Sequence, residues 1–194
     1  PSTPDGSVDM PLNPCSFALG AGARFVARSI DTEAKHLTSV LKRAHAHEGA
    51  SFVEIYQNCP VYNDGIFELI KEKKTAGETR LVLEHGQPMI FGTEGDKGIK
   101  LNAASLCLEV VTLGDDGVTE QDLVVHDETN RMLAQLLTQL RAPEFPEPVG
   151  VIYCNPETAY EDSVYEQIKT VREKKGLADF QNALKSGHTW TVNS

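Results

Sequence analysis

Apolar and polar positions change their spacing several times along the chain, and each change marks an element. The run Arg24 to Ile30 is dense in apolar residues and predicts a strand. Ala34, Leu37, Val40, Leu41 and Ala44 then fall on one face of a predicted helix, which Asp31 is placed to cap and Gly49 ends. Ser51 to Gln57 follows at once, and Phe52, Val53, Ile55 and Tyr56 give it the character of a strand packed on both faces. Arg24 to Gln57 therefore reads as a βαβ unit. Its crossover makes the two strands parallel, which implies an α/β sheet covered on both faces.

Beyond the Asn63-Asp64-Gly65 turn, Ile66, Phe67, Leu69 and Ile70 mark a short helical stretch that ends in the solvated run KEKKTAGE. The pattern then shifts to short β segments at Arg80 to Glu84, Pro88 to Phe91, Ile99 to Leu101 and Ser105 to Thr112. Gly86, Gly92, Gly95 and Gly98 punctuate them. A helix is predicted over Asn130 to Arg141, with Met132, Leu133, Leu136, Leu137 and Leu140 as its core stripe. The connector APEFPEPVG leads into a buried-type strand, Val149 to Cys154. A surface helix over Tyr160 to Lys175, a short helix over Leu177 to Lys185 and the tail HTWTV close the chain. No internal repeat or low-complexity tract interrupts this order.

Composition narrows the class. With 194 residues and 40% hydrophobic content the chain can bury one substantial core and carry a smaller lobe. A formal charge of −10 without a basic stripe argues against nucleic acid as a partner. No apolar run is long enough to span a bilayer and no signal segment opens the sequence, so a cytoplasmic location is expected. The opening at Pro1, a turn-rich PSTPDGSVDMPLNP in place of an initiator Met, is expected of a piece of a longer polypeptide.

Few residues carry candidate chemistry. Cys15, Cys59, Cys107 and Cys154 form no C-x-x-C pair, which points to reduced thiols and away from zinc fingers and disulfide frameworks. Cys107 and Cys154 lie in apolar strand patterns and read as small buried hydrophobes. Cys59 differs. Pro60 removes the backbone donor that strand pairing needs, so Cys59 stands at the carboxyl end of a strand, the edge where open α/β sheets hold ligands. An inert thiol, an activated nucleophile and a cluster ligand are all open to it, and no His follows nearby to serve as base.

Other candidates have blander readings. His36, His45 and His47 share the predicted helix, but His45 and His47 project roughly 200° apart and cannot chelate one metal from a single face. They read as a solvated or partly packed helix surface, while His85 and His188 are isolated. Asp115 and Asp116 lie within GDDG, a turn in its own right. The glycines of ALGAGA precede a strand, whereas a phosphate cradle requires a helix N-terminus.

The stretch GASFVEIYQNCPVYNDGIF resembles the thiamine-diphosphate-binding β subunit of 2-oxoacid:ferredoxin oxidoreductases, especially the 2-oxoglutarate type. LGAGARFVARSID, RLVLEHGQPMIFG and SGHTWTV resemble the same family, so the likeness covers nearly the whole chain. It implies oxidative decarboxylation of a 2-oxoacid with coenzyme A, using thiamine diphosphate and Mg²⁺, with a [4Fe-4S] cluster passing electrons singly towards ferredoxin. The cysteine of the family's N-C-P motif is its last cluster ligand, a role that falls here on Cys59. Implied partners are the α subunit and ferredoxin.

The departures are equally specific. The family's remaining cluster cysteines and its G-D-G-D...N signature for Mg²⁺ and diphosphate are absent, and Pro1 to Pro4 resemble the segment that follows them. The resemblance implies that residues 1–75 are the C-terminal part of a parallel-sheet thiamine-diphosphate-binding, pyrophosphate-type domain. Residues 76–194 would then be an appended α+β C-terminal region. The fragment alone is expected to be inactive. A reading of another class is a non-catalytic folded module that binds a partner subunit, and a third is a cysteine-nucleophile enzyme using Cys59.

Overall fold

The computed structural model describes residues 8–72, 74–176 and 179–192; Pro1 to Pro4, with their expected likeness to a cofactor-binding segment, lie outside them. Helix α1 (Pro14–Gly20) starts where Pro14 suits the first turn and the Asn13 side chain accepts the Ser16 N–H at 3.1 Å. Strand β1 (Phe25–Ile30) follows, then helix α2 (Ala34–Ala46) and strand β2 (Ser51–Tyr56). β1 and β2 pair in parallel from Phe25–Ser51 to Ile30–Tyr56, as the βαβ pattern predicts.

Two details of that unit differ from the expectation. Helix α2 begins after Glu33 without a side-chain cap, because Asp31 is engaged elsewhere. Its N–H donates to the Tyr56 carbonyl at 3.0 Å and its carboxylate pairs with Lys71 at 2.9 Å. Strand β2 is not packed on both faces: Tyr56 is buried, but Ser51 and Ile55 are exposed. The reason is topological, since β2 is an outer strand of its sheet.

After two short helices, α3 (Glu68–Lys71) and α4 (Ala76–Thr79), strand β3 (Arg80–Leu83) crosses to the far side of the same sheet. Strands β4 (Ile90–Phe91), β5 (Lys97–Asn102) and β6 (Cys107–Thr112) form a separate antiparallel sheet in that order. Helix α5 (Arg131–Leu137), capped by Asn130, ends earlier than the predicted stripe. Leu133, Leu137 and Leu140 are buried, while Met132 is exposed.

Strand β7 (Glu147–Cys154) completes the main sheet in the order β2-β1-β7-β3, antiparallel to β1 and parallel to β3. Two parallel pairs thus meet at an antiparallel seam. The carboxyl ends of β1 and β2 lie at one edge and those of β3 and β7 at the other.

Helix α2 covers one face through Val40, packed with Phe25, Ala27 and Val151. On the other face Cys15, Ala18 and Leu19 of α1 and Leu133, Ala134 and Leu137 of α5 pack with Val26 and Ile152. The small sheet adds Phe91, Ile99 and Leu108 to that core. The main sheet takes β1 and β2 from residues 1–75 and β3 and β7 from 76–194, so the change of pattern near residue 75 falls inside one compact unit, Pro1–Pro156.

The second unit is Glu157–Ser194. Its helix α6 (Tyr160–Lys175) has the predicted bounds and no buried residue, with acidic Glu161 and Asp162 in the first turn and Arg172, Lys174 and Lys175 in the last. That charge order complements the helix dipole. Helix α7 (Phe180–Leu184) is capped by Asp179 and is shorter than predicted; Leu177 and Ala178 lie outside the described residues.

Candidate functional site

Cys59 lies where the sequence pattern puts it, just past the carboxyl end of β2, in the loop that leads to α3. The thiol residue is half-buried, and its carbonyl accepts the Asn63 N–H at 3.0 Å. The neighbouring Asn58 spans the loop: Nδ2 donates to Asp64 Oδ1 at 2.8 Å, and Oδ1 accepts the Gly65 N–H at 2.9 Å. Tyr56 and Phe67, one at each end, stack with centroids 4.4 Å apart and an interplanar angle of 13°. A cavity of about 280 Å³ opens beside the loop, with Asn58, Gly65 and Lys71 in its wall.

Tyr56 ties this loop to a polar cluster inside the sheet. Arg28, fully buried on β1, donates from Nε to Glu54 Oε2 at 2.8 Å and from Nη1 to Glu147 Oε1 at 2.7 Å. The Tyr56 hydroxyl donates to the same Glu147 oxygen at 2.7 Å, and the Arg28 guanidinium lies 5.1 Å from the Tyr56 ring centroid. The Cys15 thiol donates to Glu54 Oε2 at 3.2 Å. Burial pushes the Cys15 thiol up to about 12, with Arg28 opposing and Glu54 reinforcing the shift. Burial likewise raises the Tyr56 phenol. For Arg28 burial alone would lower the pKa, but Tyr56, Cys15, Glu147 and Glu54 raise it above the ordinary guanidinium value. Cys15 is thus a protonated structural thiol.

Sequence reading passed over this cluster. The signal was a single charge inside each of two strand runs, Arg in FVARSI and Glu in SFVEIY. A charge among buried strand residues needs a partner close by, because desolvation otherwise drives it neutral.

A second cluster lies at the opposite edge. Arg43 donates to both Glu128 carboxylate oxygens at 2.8 and 2.7 Å, and the Glu128 N–H donates to His85 Nδ1 at 3.2 Å. The Cys154 N–H donates to the Glu128 carbonyl at 2.7 Å. Cavities of about 290 and 300 Å³ flank Arg43. Arg43 is spent on Glu128, and burial raises the Cys154 thiol, which keeps it from the nucleophilic thiolate form.

The remaining expectations divide. His45, His85 and His188 are exposed, but His47 is buried against Phe25 with ring centroids 5.4 Å apart. His47 is more buried than a partly packed helix surface predicts, because the chain turns at Gly49 and the helix end lies against β1. His36 is half-buried, with Nδ1 2.8 Å from the Ser29 hydroxyl, and burial lowers its pKa. The buried-hydrophobe reading fails for Cys107, which is exposed at the start of β6, and Cys154 is only half-buried. Asp115 and Asp116 form the expected turn, and ALGAGA runs from α1 into β1 without a following helix.

Among the described residues no group of three or more His, Cys, Asp or Glu side chains comes together to hold a metal. Cys59 has the chemistry of one cluster ligand, a thiol at a strand end within solvent reach. An iron-sulfur cluster takes four such ligands. Among the described residues such a cluster would find one ligand in this loop, Cys59, and no group of three or more metal-ligating side chains beside it. No helix among the described residues is long and apolar enough to cross a membrane.

No family model matches the chain. It is 36% identical over 197 residues to the 2-oxoglutarate oxidoreductase subunit KorB of Mycobacterium tuberculosis, covering 99% of this chain and 52% of that protein. It is also 36% identical over 63 residues to a 2-oxoacid:ferredoxin oxidoreductase β subunit of Saccharolobus solfataricus, covering 32% of this chain and 21% of that one. Among solved structures it matches a 2-oxoglutarate:ferredoxin oxidoreductase from Magnetococcus marinus with 2-oxoglutarate, coenzyme A and succinyl-CoA bound. The TM-score there is 0.54 at 21% identity, over 95% of this chain and 47% of that one, a likeness of fold. The chain spans about half the length of the Mycobacterium tuberculosis relative.

Proposed function

We propose that this chain, a homologue of the β subunits of 2-oxoacid:ferredoxin oxidoreductases, forms part of such a subunit, with 2-oxoglutarate as the 2-oxoacid. The observation that carries the reading is the similarity, over 99% of this chain and 52% of the relative, to a 2-oxoglutarate oxidoreductase subunit. The activity belongs to the complete assembly: oxidative decarboxylation of the 2-oxoacid to an acyl-CoA, with electrons delivered to ferredoxin.

Within that assembly Cys59 supplies one thiolate to a [4Fe-4S] cluster, and the cluster contributes one-electron transfer. The mixed sheet with its parallel β1–β2 pair supports this role, since it delivers Cys59 to a carboxyl edge on a loop closed by Asn58. Thiamine diphosphate, Mg²⁺ and the other cluster ligands fall to residues other than those described. Residues 1–75 belong to the thiamine-diphosphate-binding domain and 76–194 to the C-terminal region of the same subunit. An α subunit and ferredoxin are the protein partners.

The test is Cys59→Ala in the complete enzyme. Iron content and ferredoxin reduction should both fall; iron and reduction at wild-type levels would sink the assignment.

A non-catalytic module that docks on a partner subunit is the second reading. It is favoured by the apolar side chains left exposed in the Cys59 loop, Val61 at 81% and Tyr62 at 91%. In that case Cys59→Ala leaves iron untouched, and Tyr62→Glu weakens subunit association in size-exclusion chromatography.

A further inference from the structure

Helix α6 carries an apolar stripe that stays open to solvent. Tyr160, Val164, Ile168 and Val171 follow one another at spacings of four, four and three residues, which puts them on one helix face. Val164 is half-buried, and Tyr160, Ile168 and Val171 are exposed. At about 100° per residue, Glu161 and Arg172 border this stripe on one side, and Lys175 continues it at the C-terminal end. Glu166 and Lys169 lie on the back of the helix, where they approach each other at 3.7 Å. Among the described residues no ion pair engages Glu161, Arg172 or Lys175.

The border of the stripe is thus acidic at its N-terminal end and basic at its C-terminal end, and whatever covers the stripe must match that order. A second α6 laid antiparallel matches it with the same sequence. With Val164 level with Val171 of the second copy, Glu161 falls between Arg172 and Lys175 of that copy, within about 3 Å of each along the axis. The two-fold repeats the contact at the other end. Parallel pairing instead sets Glu161 against Glu161 and Arg172 against Arg172, which is repulsive.

We propose that α6 pairs antiparallel with α6 of a second copy of this chain, through Tyr160, Val164, Ile168 and Val171, with Glu161 of each copy against Arg172 and Lys175 of the other. A helix of 16 residues is about 24 Å long, so one face of it buries less than the roughly 800 Å² per partner of a standard interface. The contact is weak by itself and adds to the interfaces of a larger assembly.

Sedimentation velocity of the complete assembly over a concentration series reads the step between one and two copies of this chain. Glu161→Arg and Arg172→Glu should each raise the midpoint concentration of that step about tenfold, since each turns two attractions into repulsions. The double variant should return to within about threefold of wild type. Positions 161 and 172 are about 16 Å apart along the helix, too far to pair within one copy, so recovery reports contact between copies. A charge order that serves only the helix dipole gives the reverse, with the double variant the worst of the three. That result, or a step unmoved in all three variants, overturns the proposal.

Crosslinking reads the orientation and carries the test if the charge variants fail to assemble. Gln167→Cys lies beside the two-fold and should form a disulfide between two copies under mild oxidation, beyond that of the unchanged chain. Tyr160→Cys, about 22 Å along the axis from its counterpart, should not. Bonds at both positions mean parallel pairing. A Gln167→Cys variant that stays unlinked, or links only to a different subunit, means that something other than a second copy covers the stripe. Each of these outcomes overturns the proposal.

Discussion

Arg28 and Glu147 lie 119 residues apart in sequence and meet inside the sheet, Nη1 to Oε1, at 2.7 Å. Their strands are the two that run antiparallel at the seam, so this contact joins one parallel pair to the other. Glu54 on β2 takes the Nε side of the same guanidinium. One buried cation therefore bridges the β2, β1 and β7 strands at the edge from which the Cys59 loop leaves.

Arg28 should be the most sensitive position of this cluster. Its side chain is 0% exposed and those of Glu54 and Glu147 only 14% and 6%, so removing the cation strands one buried and one largely buried carboxylate. Breaking such a pair from one side costs about 3–5 kcal/mol. Arg28→Met should lower stability by about that much in urea unfolding. The triple variant Arg28→Met, Glu54→Gln, Glu147→Gln should recover part of it. A single variant within about 1 kcal/mol of wild type, the range typical of exposed pairs, would mean the cluster is solvated.

Cys15 gives a pH signature. Burial raises its thiol from 9.0 to about 12, so the folded state holds this proton more tightly than the unfolded chain. The resulting stabilisation is fully present below pH 9.0 and is lost as pH rises from there towards 12. The loss has a limiting slope of about 1.4 kcal/mol per pH unit for a single group. Unfolding of wild type and Cys15→Ala compared across this range should show the wild-type advantage shrinking from pH 9.0 upward. Alkylation at pH 8 followed by mass spectrometry should modify exposed Cys107 first and Cys15 only on unfolding.

The legible parts of this fold were those with local periodicity. β1, α2, β2 and α6 match their predicted spans closely because alternation and helical spacing are written within each segment. What the pattern could not carry was pairing between distant segments. Arg80 to Glu84 reads as one of several short β pieces, yet its strand joins the main sheet because β7, more than sixty residues later, offers it a parallel edge. The apolar run of β2 could not reveal that its outer side lacks a strand, so Ile55 reads as core and is 42% exposed. At the site, Cys59 was visible from Pro60 and the turn that follows. Asn58 was not, since an Asn before a turn is ordinary and its meaning lies in where Asp64 and Gly65 return to meet it.

Gly150 is where that distant pairing is most exposed to a single substitution. It has φ +122°, a conformation that side-chain-bearing residues rarely adopt, and it faces Leu83 across the β3–β7 pair. A Cβ at this position would stand 2.9 Å from the Leu83 carbonyl oxygen, a backbone atom that cannot swing aside. Backbone strain of this kind costs about 1–3 kcal/mol. Gly150→Ala should therefore destabilise the protein by at least that much. The damage should be local first: amide exchange in Arg80–Leu83 should rise before that of the β1–β2 pair, whose register does not depend on β3. Uniform acceleration across all four strands would instead mean that the sheet opens as one unit, with the β3–β7 pair no weaker than the rest.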